Sequence, residues 1–248
     1  MGKSAARITS PPKVPPLRDG DRMTAAEFWR RYEADPHVRR AELIRGVVHI
    51  ISEEPRLGEE SSVPPISGGG HGEPHSTAIW WLVHYRMFTP GVMSSAPTTV
   101  RADATDDVSE PDAVLRILPQ CGGQTRVDGR GVYHGAPELV LEVSHTSGAD
   151  DLGSKFEAYQ QDGAREYIVW RTGVRTVDWF RRNRAGRFVP LPADVDGVIR
   201  SRVFPGLWLN TTALVADDLR RMLATLNLGI ASPEHDAFIE KLRRKGGL

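Results

Sequence analysis

The 248-residue sequence predicts an α/β domain in which helices flank a mixed β-sheet. Three observations lead there. Runs rich in Val, Ile and Leu recur at 41–52, 111–118 and 138–144, and again at 165–170 and 176–182, as strands do. A segment of helical period, 151–162, stands between two of them. Further helical patterns occur early and late in the chain.

In order along the chain, "MTAAEFWRRYEAD" opens the folded part. Thr24 and Glu27 have capping-box spacing, Phe28 and Tyr32 share a face, and Asp35-Pro36 ends the helix. Residues 41–52 read as two short strands turning near Gly46. Residues 53–74 are too polar and Gly/Pro-rich for a core and read as a long loop. The period of 75–88 predicts a helix with Ile79, Leu82, Val83 and Met87 on a shared face. Segments 98–103 and 111–118 read as strands, and 119–135, with five glycines, as a second loop. After the strand at 138–144 the helix 151–162 stops at Gly163. A hairpin, "RFVPL", a strand near "VFPGLWL" and a helix over 214–226 follow. The expected division is a disordered lead-in over 1–21, one folded domain over 22–228, and a helical, basic tail over 229–248 whose end, "EKLRRKGGL", is expected to fray.

Composition narrows the function. Acidic and basic residues balance at 32 each, so there is no global positive excess of the kind many nucleic-acid-binding domains carry, although a local basic surface remains open. The single Cys121 excludes an internal disulfide and a cysteine-rich zinc site. No run approaches the roughly 20 apolar residues of a membrane span. The N-terminus lacks the apolar core of a secretory signal, so a cytoplasmic protein is expected.

The chemistry centres on "ELVLEVS". Alternation puts Leu139, Leu141 and Val143 on one face and Glu138, Val140, Glu142 and Ser144 on the other. A carboxylate in an apolar strand needs a cation, a set of donors or an open cleft. Asp112, in "EPDAV", converges on Glu142 if the two strands are neighbours. Two carboxylates, a backbone carbonyl (that of Val143) and waters would suit Mg²⁺, with Mn²⁺ as substitute. On the next helix Leu152, Phe156 and Tyr159 form the buried stripe, and Lys155 lies about 60° from Leu152 at its edge. From there its ammonium could face the acids, one turn after Asp151. The alternatives are an arginine-paired Glu142, a turn-forming Asp112, and an ordinary Asp151–Lys155 surface pair.

"AELIRGVV", "EPDAV", "APELVLEVSHTS", "DLGSKFEAYQQDGAREYIVW" and "FPGLWL", in this order over roughly 23–215, resemble the motifs of the Uma-two family of restriction endonucleases, within the PD-(D/E)xK nuclease-like superfamily. The resemblance implies a restriction-endonuclease-like fold, with Asp112 and Glu142 as metal ligands. It places Ser144 where the superfamily has its lysine and Lys155 as the substitute. Asp151 and Glu42 become further acids of the pocket, and His75 a residue at the pocket edge. Duplex DNA as substrate and a homodimer are further implications. Trp170 and the lengths of 53–74 and 119–135 depart from the family pattern.

Other motifs weigh less. "HGEPH" pairs His71 and His75, but Pro74 argues against one helix presenting both rings, and zinc ligation is not expected. Arginines 171, 175, 181, 182, 184 and 187 read as a solvated hairpin face, or as a phosphate-contacting surface near the site led by Arg181 and Arg182. Trp80, Trp81, Trp170 and Trp179 read as core or interface residues. The leading expectation is a Mg²⁺-dependent DNA endonuclease. A catalytically inactive nucleic-acid-binding or interaction module on the same fold is the alternative, and a hydrolase of another phosphoester is a third.

Overall fold

The computed structural model of the chain describes residues 14–54, 68–145, 149 and 151–247. The helix α1 (Ala25–Ala34) starts where Thr24 Oγ1 accepts the Glu27 amide, the capping arrangement its sequence encodes. Strands β1 (Val38–Ile44) and β2 (Val47–Glu53) form a hairpin. The turn places Arg45 and Gly46 at positive φ. A π-helical turn (Gly68–Gly72) leads into α2 (Glu73–Met87). Then come β3 (Val92–Ser95), β4 (Val100–Arg101), β5 (Val108–Ser109) and β6 (Ala113–Ile117). The short β7 (Arg126–Val127) and β8 (Tyr133–His134) precede β9 (Leu139–Ser144), α3 (Ser154–Asp162) and β10 (Glu166–Arg171). The chain continues through β11 (Thr176–Arg182), β12 (Phe188–Pro190), β13 (Val198–Arg200) and β14 (Trp208–Asn210). Helices α4 (Thr211–Val215), α5 (Leu219–Ile230) and α6 (Pro233–Gly246) close it.

Two six-stranded sheets carry the fold, ordered β2-β1-β5-β4-β8-β7 and β12-β11-β10-β9-β6-β3, with β13-β14 a separate pair. In the second sheet β9 is central. It runs parallel to β10 and antiparallel to β6. The parallel pairing requires a crossover, and α3 supplies it. Both faces of β9 are covered. Leu139, Leu141 and Val143 join Ala78, Trp81, Leu82 and Tyr85 of α2 and the apolar residues of α5 and α6. Val140 joins Tyr159, Tyr167, Val169 and Phe188, with Leu152 and Phe156 against them. The first sheet has its own core with α1, built on Phe28, Ala41, Leu43, Val48 and Val108.

Several expectations are corrected. The lead-in was expected to be disordered through residue 21. Residues 1–13 lie outside the described residues, but 14–21 pack on the first sheet. Leu17 is fully buried with its amide donating to Asp35 Oδ2, and Asp21 accepts the Val48 amide through its carbonyl. The loop expected over 53–74 is a strand at its start and π-helical then α-helical at its end, with 55–67 outside the described residues. On α2 the shared apolar face divides: Leu82 is buried and Ile79 partly so, whereas Val83 and Met87 are exposed, and Ala78, Trp81 and Tyr85 complete the buried side. The expected loop 119–135 contains β7 and β8. Trp81, Trp170 and Trp179 are buried, and Trp80 packs partly buried against the same core.

The C-terminal tail is neither frayed nor separate from the domain. Ser232 caps α6, and His235, Phe238 and Leu242 are buried. Phe238 and Leu242 belong to the same core as α2 and β9. Glu166, at the start of β10, is also buried, and it accepts from Ser201 Oγ at 2.7 Å and the Arg202 amide at 2.7 Å. Burial pushes its carboxyl up to about 7 against these donors.

Two outcomes follow for stability. Leu242→Ala should cost about 2–5 kcal/mol in urea unfolding, whereas the exposed Arg244→Ala should cost under about 0.5 kcal/mol. A carboxyl whose folded pKa is raised stabilises the fold below its unfolded value and loses that contribution as pH rises through its folded value. Glu166 should therefore lower the melting temperature as pH climbs from about 4.5 to about 7, and Glu166→Gln should flatten that slope in a melting series against pH.

Candidate active site

The site forms where the C-terminal half of β9 meets the start of β6. Ala113 pairs with Leu141 in the antiparallel ladder, so the preceding residue, Asp112, stands against Glu142 and Val143. Asp112 Oδ2 accepts the Val143 amide at 2.8 Å, and the Asp112 amide donates to Glu142 Oε2 at 3.3 Å. The two acids are thus held side by side by each other's backbone. Asp112 keeps 14 % of its side chain exposed, whereas Glu142 keeps 5 %.

The other groups come from two further elements. Lys155 Nζ lies 3.2 Å from Glu142 Oε1 and 3.0 Å from Glu42 Oε2. Tyr159, one turn further along α3, donates its hydroxyl to the same Glu142 Oε1 at 3.0 Å. Glu42 reaches over from β1 of the first sheet and is fully buried, its Oε1 accepting the Glu110 amide at 2.6 Å. Among the described residues its buried Oε2 accepts no hydrogen bond and is paired with the charge of Lys155. Asp151 stands before α3, its side chain hydrogen-bonded to Ser144 and its carbonyl accepting Tyr167 OH at 2.9 Å. Ser144 thereby positions an acid from the place where the resemblance put a lost lysine.

The electrostatics follow from crowding. Burial pushes Glu142 well above the usual carboxylate range; Lys155 opposes this, and Asp112, Asp151 and Glu42 add to it. Burial raises Asp151 too, against the pull of Lys155. For Lys155, burial alone would favour the neutral amine, but Glu142, Glu42 and Asp151 outweigh it and hold the ammonium well above its usual value. Asp112 differs. Burial pushes it up, yet His71 and the Val143 amide more than offset that and keep it below the usual range.

Two histidines cover the exposed side of Asp112. The π-turn and the first turn of α2 stack the rings of His71 and His75 with centroids 5.3 Å apart. Pro74, at the start of α2, does not prevent this, contrary to the expectation from the sequence. His75 Nε2 donates to the Asp112 carbonyl at 2.8 Å. His71 Nδ1 donates to the Val143 carbonyl at 2.8 Å, and its Nε2 stands 3.5 Å from Asp112 Oδ1. A Cβ at Gly70, in the same turn, would come within 2.5 Å of the exposed His145 ring, which would have to shift.

Asp112, Glu142, Lys155, Glu42 and Asp151 are therefore brought together, with Val143, Ser144 and His75 in contact with them. Arg181 and Arg182 are not near the cluster. Arg181 pairs with Glu166, which pairs with Leu139. That is three residues down the sheet from Glu142, at about 3.3 Å each, and two strands across, at about 4.8 Å each. Sequence reasoning missed His71 and the polar role of Tyr159. The spacing of "HGEPH" and of Lys155 with Tyr159 were the available signals.

An α/β fold with paired acids at the adjoining ends of two central strands, and a lysine from the crossover helix, defines a nuclease-like class. A crystal structure from Anabaena variabilis ATCC 29413, described as a "putative nuclease belonging to DUF820", shares the fold with a TM-score of 0.56 and 14% identity, covering 78% of this chain and 98% of that one. The family model described as "Putative restriction endonuclease", Uma2, matches residues 25–212, and the chain belongs to that family. A comparison with curated proteins finds no match. No helix among the described residues is long and apolar enough to cross a membrane.

Removing the cation tests this electrostatic account. Lys155→Met leaves Glu42 and Glu142 facing each other without a charge partner and should cost about 3–5 kcal/mol at pH 8. Because Glu142 already sits above the usual carboxylate range, protonation should relieve the penalty, and the gap to the parent should narrow at pH 5 in denaturant titrations.

Proposed function

We propose that the protein is a divalent-metal-dependent endonuclease that hydrolyses phosphodiester bonds in duplex DNA. The observation that carries this reading is the side-by-side placement of Asp112 and Glu142 on neighbouring strands, with the Lys155 ammonium bonded to one of them. The family match supports the class, nuclease; substrate and metal are our reading of the site.

The residues suit a hard cation. Their donors are oxygens, and the cluster carries four carboxyl groups, Glu42, Asp112, Glu142 and Asp151, against one ammonium. Among the described residues, the buried Glu42 Oε2 accepts no hydrogen bond and is met by the Lys155 ammonium at 3.0 Å. Among the described residues, no three acidic, histidine or cysteine side chains already gather as a metal-binding group. Asp112 and Glu142 would hold Mg²⁺ or Mn²⁺, with water supplying other positions as Mg²⁺ prefers. When bound, such an ion activates water and offsets charge on the phosphate.

The chain's own groups do the rest. The pull of its acidic neighbours keeps Lys155 protonated, so it serves as a cation and hydrogen-bond donor rather than as a base. It orients the attacking water and offsets negative charge developing on the phosphate. Tyr159 and the Asp112 amide fix the Glu142 carboxylate from two sides. Glu42 fixes the lysine from the first sheet. The more exposed Asp112 side is the approach for a DNA strand. A homodimer, with two such sites, would suit cleavage of both strands.

Purified protein should nick or cut plasmid DNA only with Mg²⁺ or Mn²⁺, and Asp112→Ala and Glu142→Ala should each abolish this in a gel assay. DNA binding without cleavage under every metal, unchanged by Asp112→Ala, would instead identify a binding module. Cleavage confined to nucleotides or other phosphoesters would identify a different hydrolase.

A further inference from the structure

The carbonyl of Val143, expected as the third protein ligand, is already engaged by His71. This contact fixes the chemistry of the ring. A carbonyl oxygen only accepts, so Nδ1 must carry the hydrogen it donates. In the neutral ring Nε2 is then the unprotonated nitrogen, and a lone pair is what a metal ligand needs. Metal-binding histidines commonly show this arrangement, in which one ring nitrogen donates to a backbone carbonyl and the other faces the ion.

Nε2 faces Asp112 Oδ1 at 3.5 Å. Neighbouring donors around an ion with bonds of about 2.1 Å are roughly 3 Å apart in an octahedral shell and roughly 3.4 Å apart in a tetrahedral one. The observed gap matches the wider of these spacings. The oxygen concerned is Oδ1, the one that faces the imidazole, since Asp112 Oδ2 is occupied by the Val143 amide; an ion there would displace the proton that His71 otherwise shares with Asp112. Both side chains are reachable from solvent, with 27 % of His71 and 14 % of Asp112 exposed. His75 is placed differently. Its Nε2 donates to the Asp112 carbonyl, so that nitrogen offers no lone pair.

Building on the metal-dependent reading above, we propose that His71 is a protein ligand of the divalent ion, binding through Nε2 beside Asp112 Oδ1 in place of the Val143 carbonyl. A nitrogen donor shifts the preference of the site from Mg²⁺, which favours oxygen, towards Mn²⁺ and Co²⁺. The π-turn places the ring, and His75 braces the Asp112 backbone beside it without touching the ion.

The test is metal binding by the full chain without DNA. Free Mn²⁺ is followed by electron paramagnetic resonance, Co²⁺ by its visible absorption, and Mg²⁺ by competition against Mn²⁺. His71→Asn is the chosen variant, because its side-chain amide can still donate to the Val143 carbonyl while Nε2 is gone; His71→Ala is the second. Both should bind Mn²⁺ and Co²⁺ at least about tenfold more weakly, lose less affinity for Mg²⁺, and change the Co²⁺ spectrum. His75→Gln should keep the parent's preference for Mn²⁺ over Mg²⁺. Unchanged or tighter Mn²⁺ binding in both His71 variants, with binding lost in Asp112→Asn, would overturn the ligand role of His71 while leaving the metal reading intact. Failure of the parent protein to bind any of the three ions would overturn both.

Discussion

Glu42, Glu142 and Asp151, from separate segments of the chain, share the field of one nearly buried ammonium, that of Lys155, and the arrangement of the site depends on this sharing. The first sheet contributes Glu42, the second contributes Glu142, and the approach to α3 contributes Asp151. None of these acids sits comfortably in an apolar setting alone. Lys155 balances part of their charge and, by doing so, fixes where α3 docks between the two sheets. Tyr159 on the same helix face adds a neutral donor to Glu142, so the carboxylate is held without a second positive charge.

The balance is incomplete, and the direction of the imbalance carries the functional argument. Burial above all, and then the surplus of acid over base around β9, pushes the Glu142 carboxyl well above the usual range, against the pull of Lys155. Burial also works against the charge of Asp112, but His71 and the Val143 amide outweigh it and keep that acid below the usual range. The site is thus graded, from a deep acid that resists charge to a shallow one that holds it.

Much of this could be read from the chain, and the rest resisted for physical reasons. The strands around Glu142 were legible because apolar alternation and Gly163 leave one register, and the faces of β9 divide as that alternation requires. Which residues of α2 are buried is not legible from its period, because apolar residues stand on more than one side of the helix. Ile79, Trp80, Val83 and Met87 compete with Ala78, Trp81, Leu82 and Tyr85, and only the partner sheet decides. Strands of two residues, such as β7 and β8, are too short to show a period. The lead-in looked disordered from its prolines, yet one buried leucine and one aspartate acceptor suffice to anchor 14–21. Asp112, Glu142, Lys155, Glu42 and Asp151 stand together as the motifs implied. His71 was discounted because helix rules were applied to a segment that enters α2 through a π-turn. Such turns lie outside the 3.6-residue repeat and recur at functional sites.

The docking of the two sheets has a consequence for how the molecule is made. Glu42 precedes its partner lysine by more than a hundred residues, and the strand that follows α3 is paired with β9 in parallel. No early fragment of the nascent polypeptide holds the full constellation. Any hydrolytic competence therefore arrives late, once both layers have closed, and loosening the seam between them would disarm the chain before the bulk of the molecule unravels.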